Sequence, residues 1–178
     1  VDNLRPEGAL FASFVRTPLA HATIAGVDVS AAMQAPGVVA VFTAADLALE
    51  AGFPFFPTNP LCARPPLADG RVRFVGEAVA VVLAQTRAQA VDATELVDVD
   101  YDPLDAVVDM EAALAPGAPL QFDDVAGNVA AGQRSPAGDV LAGATHVVRA
   151  RIVNQRLAVA PMEGNALLVT PGGPEYDV

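Results

Sequence analysis

Apolar and polar residues alternate in short runs through the first part of the chain, and each run stops at a glycine, a proline or a capping side chain. Residues 10–15 (LFASFV) predict a strand, closed by Thr17-Pro18, and residues 21–29 (HATIAGVDV) predict a second with a kink or bulge at Gly26. Ser30 is placed to N-cap a short helix over AAMQA, which must end at Pro36-Gly37. VVAVF (38–42) predicts a third strand, and Thr43 caps a helical turn at AADL. The order so far is β-β-α-β.

The pattern is clearest over residues 74–108. EAVAVVLA is apolar on both faces, which predicts a strand covered on both sides. Thr86 and Gln89 then match a capping box, in which the hydroxyl accepts from a helix amide and the Gln side chain reaches back. Ala90, Ala93 and Val97 recur at helical spacing, with Asp92 and Glu95 facing solvent. At VDVDYDP the period becomes two, predicting a half-buried strand ended by Pro103. DMEAAL predicts a further helical turn, and residues 115–143 read as a connector rich in Gly, Pro and Asp. Beyond it, residues 145–161 predict a long strand, with Val148, Ala150 and Ile152 alternating against Arg149 and Arg151. NALLVTP predicts another, and GGPEYDV the start of a third.

Residues 50–70 break every pattern. They hold five prolines and predict a long ordered loop or insertion, on which Phe53, Phe55 and Phe56 form a docking cluster.

Composition removes several functions. The net charge is -11, and all ten basic residues are arginine. Such a chain lacks the basic footprint that nucleic acid and anionic membranes require. Without lysine there is no Schiff-base or phosphate-loop lysine. No apolar run approaches the roughly 20 residues of a membrane span. The single cysteine, Cys62, has no internal partner, which fits a reducing compartment; a cytoplasmic location is expected.

Candidate chemistry is sparse. The turn after Ala84 has no glycine, and the Gly127 to Arg134 stretch (GNVAAGQR) has phosphate-loop glycine spacing without the Lys-Ser/Thr pair. His21, His146 and Cys62 lack zinc-ligand spacing, and Asp98, Asp100, Asp102 and Asp105 read as a solvated strand face. Glu77, after Gly76 at a strand entry, is either an acid/base or an anchor accepting backbone hydrogen bonds; the anchor is favoured. Glu163, beside Gly164 at a strand end, is the better functional candidate, but no partner is visible. The residues alone predict an α+β scaffold with no catalytic, cofactor-binding or metal site. A stand-alone binding or assembly module that docks through Phe53 to Phe56 is the alternative.

The segment RVRFVGEAVAVVLAQTRAQAVDATELVDVDYDPLDAVVD closely resembles the N-terminal α/β hammerhead domain of the molybdenum-binding large subunit of the xanthine dehydrogenase and aldehyde oxidase family, which includes the large chain of aerobic carbon monoxide dehydrogenase. Residues 2–47 resemble the family's opening, and the stretches 127–130 and 138–169 its entry to the molybdopterin domain. The resemblance implies a short mixed sheet with packed helices over 1–120, a connector over 121–144, and the first strands of the molybdopterin-binding domain over 145–178. It implies a small-molecule hydroxylase with molybdopterin in the full subunit and iron-sulfur clusters and FAD on partner subunits or domains. The family's molybdenum-site glutamate and pterin motifs fall beyond residue 178, and Pro161-Met162-Glu163 resembles a structural element near the cofactor domain. Both ends therefore read as cut, and the expected role of this fragment is scaffold.

Overall fold

The computed structural model describes all residues except 1–3, 5, 48, 53–58, 133–138, 140, 156, 163, 172–175 and 178. The phenylalanine cluster and Glu163 lie outside the described residues. The chain divides into two units, one spanning Gly8–Gln133 and the other combining Val1–Glu7 with Arg134–Val178. In chain order the larger unit contains β1 (Phe11–Arg16), β2 (Ala22–Asp28), α1 (Ser30–Met33), β3 (Val38–Thr43), α2 (Ala44–Leu47), β4 (Arg71–Val72), β5 (Ala78–Ala84), α3 (Arg87–Thr94) and β6 (Asp98–Pro103).

The strands form two three-stranded sheets, ordered β1-β5-β3 and β4-β2-β6, rather than one short mixed sheet. Every pairing among the described residues is antiparallel. The predicted β5-α3-β6 succession is present, but its two strands belong to different sheets, so α3 crosses between them instead of returning to the same one. A helix can connect parallel neighbours or bridge two layers, and the spacing of Ala90, Ala93 and Val97 is the same in both cases.

As its two apolar faces predict, β5 is the central strand of its sheet. One face contributes Ala80 and Val82 to a core with Ala32, Val41, Ala93 and Val97. On its other face Val79 joins Ala22, Ala68 and Val72 in a second core. The Gly26 bulge is found as a register shift between Ile24 and Gly26 where β2 pairs with β6. Asp98, Asp100 and Asp102 are exposed along β6, an edge strand, while Val99 and Tyr101 are half-buried. Charge there blocks edge-to-edge pairing.

Caps differ from expectation in their details. Helix α1 starts at Ser30, whose hydroxyl caps nothing; Asp28 Oδ1 instead accepts from the Ser30 N–H at 2.8 Å. The carboxylate two residues upstream is the better-placed acceptor, a local turn typical of Asp. Before α2 the Asp46 carboxylate accepts from both the Thr43 N–H and the Thr43 hydroxyl, at 2.7 Å each. At α3, Thr86 Oγ1 accepts from the Gln89 N–H as predicted, at 3.3 Å. The return bond goes to the hydroxyl rather than the backbone: Thr86 Oγ1 donates to Gln89 Oε1 at 3.0 Å.

In the second unit the predicted strands over 145–169 are not formed among the described residues; only Thr170–Pro171 and Tyr176–Asp177 pair. Val148, Ile152 and Val159 are each 89% exposed. Alternation marks a strand only when another strand completes its hydrogen-bond ladder, and none of the described residues supplies one. No helix among the described residues is long and apolar enough to cross a membrane.

Candidate functional site

Glu77, Arg64 and Arg73 meet at the entry to β5. Gly76, at φ 88°, makes the tight turn that leads into the strand, a conformation that favours glycine. Its N–H donates to Thr17 O at 2.8 Å, Thr17 N–H donates to Glu77 O at 3.0 Å, and Arg16 donates to Gly76 O at 2.8 Å. The turn is thereby stitched to the end of β1. Glu77 follows, 5% exposed. Its Oε1 accepts from the Arg64 guanidinium at 2.6 Å and its Oε2 from the Arg73 N–H at 2.6 Å.

Each arginine of this junction holds another segment. Arg64 lies over the Phe74 ring at 4.8 Å, and its backbone forms a bridge with Gly52. Arg73 lies over Phe122 at 4.4 Å and donates to Gln121 O at 3.0 Å. Arg71 pairs with Asp123 at 2.9 Å. Burial pushes the Arg73 guanidinium below its ordinary value, and the charges of Arg71 and Arg64 push the same way against Glu77 and Asp123. Guanidinium groups start so high that it stays a cation. Asp123 is held below the usual carboxylate range by the hydrogen bond and charge of Arg71. Residues 121–123, placed by the sequence in a connector, are therefore fastened to this junction, and Val125 beside them is 2% exposed.

Glu77, with one protein donor on each carboxylate oxygen, clips together the ends of β1 and β4 and the Gly52–Arg64 bridge, and Arg71 and Arg73 carry the junction on to residues 121–123. The remaining candidates are scattered. His21 is buried, with Nδ1 2.8 Å from Asp105 O and Nε2 without a partner. Cys62 is partly exposed in the 3-10 turn Pro60–Cys62, and His146 is exposed in the other unit. In GNVAAGQR, Asn128 is a structural clip: its Oδ1 accepts from Gln121 N–H, and its Nδ2 donates to Ala113 O and Pro119 O. Residues 133–134 lie outside the described part. Among the described residues no group of three or more His, Cys, Asp or Glu converges. Among the described residues these side chains make no donor set for molybdenum. The Glu77 junction was only half legible: Gly76-Glu77 marks the turn, but nothing in sequence spacing links Arg64 and Phe122 to it.

Comparison with known proteins supplies what the junction lacks. The chain is 39% identical over 175 residues to the nicotine 6-hydroxylase large subunit of Paenarthrobacter nicotinovorans, covering 94% of this chain and 21% of that one. It is 45% identical over 125 residues to the carbon monoxide dehydrogenase large chain of Afipia carboxidovorans, covering 70% and 15%. Among solved structures, quinoline 2-oxidoreductase from Pseudomonas putida 86 matches with a TM-score of 0.66 at 42% identity, over 73% of this chain and 17% of that one. A Cu,Mo-containing carbon monoxide dehydrogenase matches with a TM-score of 0.62 at 45% identity, over 70% of this chain and 16% of that one. The chain thus spans about a fifth or less of the length of these relatives. The family described as aldehyde oxidase and xanthine dehydrogenase, a/b hammerhead domain, matches residues 1–105, the stretch that holds both three-stranded sheets and Glu77 with Arg64 and Arg73, and the chain belongs to that family.

Proposed function

We propose that this chain is the N-terminal part of the large subunit of a molybdenum hydroxylase and acts there as scaffold. Residues 1–120 form the hammerhead domain, 121–144 the connector, and 145–178 the start of the molybdopterin-binding domain. The working subunit oxidises a small molecule in the cytoplasm, with molybdopterin held downstream and iron-sulfur clusters and FAD on partner subunits or domains. The observation that carries this reading is the match of 1–105 to the hammerhead family within relatives about five times longer. The hydrogen bonds that Glu77, the one buried carboxylate among the described residues, accepts from the Arg64 guanidinium and the Arg73 N–H support the scaffold role.

The test is metal and absorption analysis of the purified 178-residue chain after expression in a host that makes molybdopterin. The expected result is no stoichiometric molybdenum, pterin, iron or flavin. Stoichiometric molybdenum bound to this chain alone refutes the scaffold assignment.

A further inference from the structure

The chain enters β4 through a tight turn at Asp69-Gly70 that is held at both ends. Leu67 and Ala68 are buried, and the Ala68 N–H donates to Ala78 O at 2.7 Å. On the far side the Ile24 N–H donates to Gly70 O at 2.9 Å, and Arg71 and Val72 pair with Thr23 and Ala22 of β2. Between these anchors the Arg71 N–H donates to Asp69 O at 2.7 Å, across Gly70 at φ 63°. A bond that spans one residue of positive φ makes the rare, strained kind of γ-turn, and glycine is the residue that accepts it. Asp69 and Gly70 are both exposed. Asp28, Asp46 and Asp123 have their carboxylates bound by nearby donors. Among the described residues the Asp69 carboxylate accepts from none, and the Gly70 N–H has no acceptor. Asp69 is also the only Asp or Asn in the sequence that is followed by glycine.

We propose that Asp69-Gly70 is a site of spontaneous covalent modification, where the aspartyl link converts to isoaspartyl through a cyclic imide and loosens β4. The Gly70 nitrogen attacks Asp69 Cγ. The N–Cγ bond forms, the Cγ–O bond of the protonated carboxyl breaks, and the hydroxyl leaves as water with the amide hydrogen. Water then adds to one ring carbonyl and breaks its bond to nitrogen. Opening at Cγ restores aspartate. Opening at the Asp69 main-chain carbonyl leaves the chain running through the side chain and frees an α-carboxylate. Nothing is oxidised or reduced, and the overall composition is unchanged. Glycine decides the place: every other aspartate is followed by a residue whose Cβ crowds the attacking nitrogen, or, at Asp102, by proline, which has no N–H. The product carries one extra methylene in the main chain beside a strand of two residues, too short to absorb it. Gly70 O then moves off the Ile24 N–H, and Arg71 off its pairing with Thr23. Arg71 also holds Asp123, and Arg73, two residues on, binds Glu77 and Gln121. The modification therefore reaches the Glu77 junction from the β4 side.

The experiment is incubation of the folded 178-residue chain in oxygen-18 water, at neutral pH and physiological temperature for several weeks. Digestion and electron-transfer fragmentation of the peptide that holds Asp69 then locate the label, because each passage through the imide leaves a solvent oxygen in the residue. The expected result is oxygen-18 at Asp69, with an isoaspartyl form of that peptide resolved by chromatography, and no label at Asp28, Asp46 or Asp123. Asp69→Glu keeps the charge and the exposure and is expected to lose the label, since its longer side chain would have to close a six-membered ring. The isoaspartyl chain, separated from the unmodified one by ion exchange, is expected to melt roughly 4 °C lower, the shift that one lost backbone hydrogen bond produces in a unit of this size. An unlabelled Asp69 in the folded chain, beside a labelled one in the urea-unfolded chain, shows that the fold protects the turn and overturns the proposal. Label that persists in Asp69→Glu places the reaction elsewhere and overturns it as well. An isoaspartyl chain that melts with the unmodified one overturns the loosening of β4.

Discussion

Replacing Glu77 with alanine tests the junction at its centre. The carboxylate is 5% exposed and accepts from two donors, the Arg64 guanidinium and the Arg73 N–H. The donors differ in what they lose. The Arg64 side chain is 30% exposed and can turn to water, so its loss is about 1 kcal/mol, as for a partly solvated pair. The Arg73 N–H is part-buried, and leaving it unsatisfied costs about 1–3 kcal/mol. The missing stem leaves a small void, adding about 1 kcal/mol. The total is about 3–5 kcal/mol, the range for breaking a buried pair. For a unit the size of residues 8–133 this lowers the melting midpoint by roughly 10 °C. The assay is urea or thermal unfolding followed by far-ultraviolet circular dichroism. Glu77→Gln keeps the stem and one acceptor oxygen and is expected to cost about half as much. If Glu77→Ala shifts stability by less than about 1 kcal/mol, the carboxylate does not hold the junction and the reasoning fails.

Gly37 sits at φ 78°, and a Cβ there would run into the Gln89 side chain. Gly37→Ala is expected to destabilise by about 1–2 kcal/mol from the left-handed backbone, while Gln89 swings away from Thr86; adding Gln89→Ala should relieve the clash but not the backbone term, and a double variant as stable as wild type would contradict this. Acid should weaken the fold in a defined window. Asp28 and Asp46 are held below their ordinary 3.8 chiefly by hydrogen bonds from Ser30 and Thr43, and Asp123 by Arg71. A lowered native value means stability present above pH 3.8 and lost as pH falls through the native values. Unfolding midpoints are therefore expected to be flat with respect to these groups above that pH and to fall below it, and the Asp28→Asn, Asp46→Asn, Asp123→Asn triple variant should show a shallower acid slope in the same titration.

How much was legible from residue order depends on the range of the interaction. Strand and helix positions up to Pro103 follow from local rules: period two in VDVDYDP, the Thr86 to Gln89 cap and the Pro36-Gly37 stop all act within a few residues. The Gly26 bulge and the two-sided burial of β5 were readable for the same reason. Errors at caps were errors of choice among nearby oxygens, as when Asp28 rather than the Ser30 hydroxyl accepts at the start of α1.

Sheet membership was not readable. The same β5-α3-β6 pattern suits one mixed sheet or two antiparallel ones, and only the packing of α3 over the β1-β5-β3 face while β6 pairs with β2 decides between them. The strands expected over 145–169 show the converse: their alternation is real, but a ladder needs a partner strand, and no period in the chain can provide one. By itself the sequence determined the elements of the hammerhead, the acidic lysine-free surface and the family. Tertiary structure alone decided that Glu77 joins Arg64 and Arg73, and that Arg71 reaches Asp123. Those contacts unite residues dozens of positions apart, where chain topology rather than local propensity sets what meets.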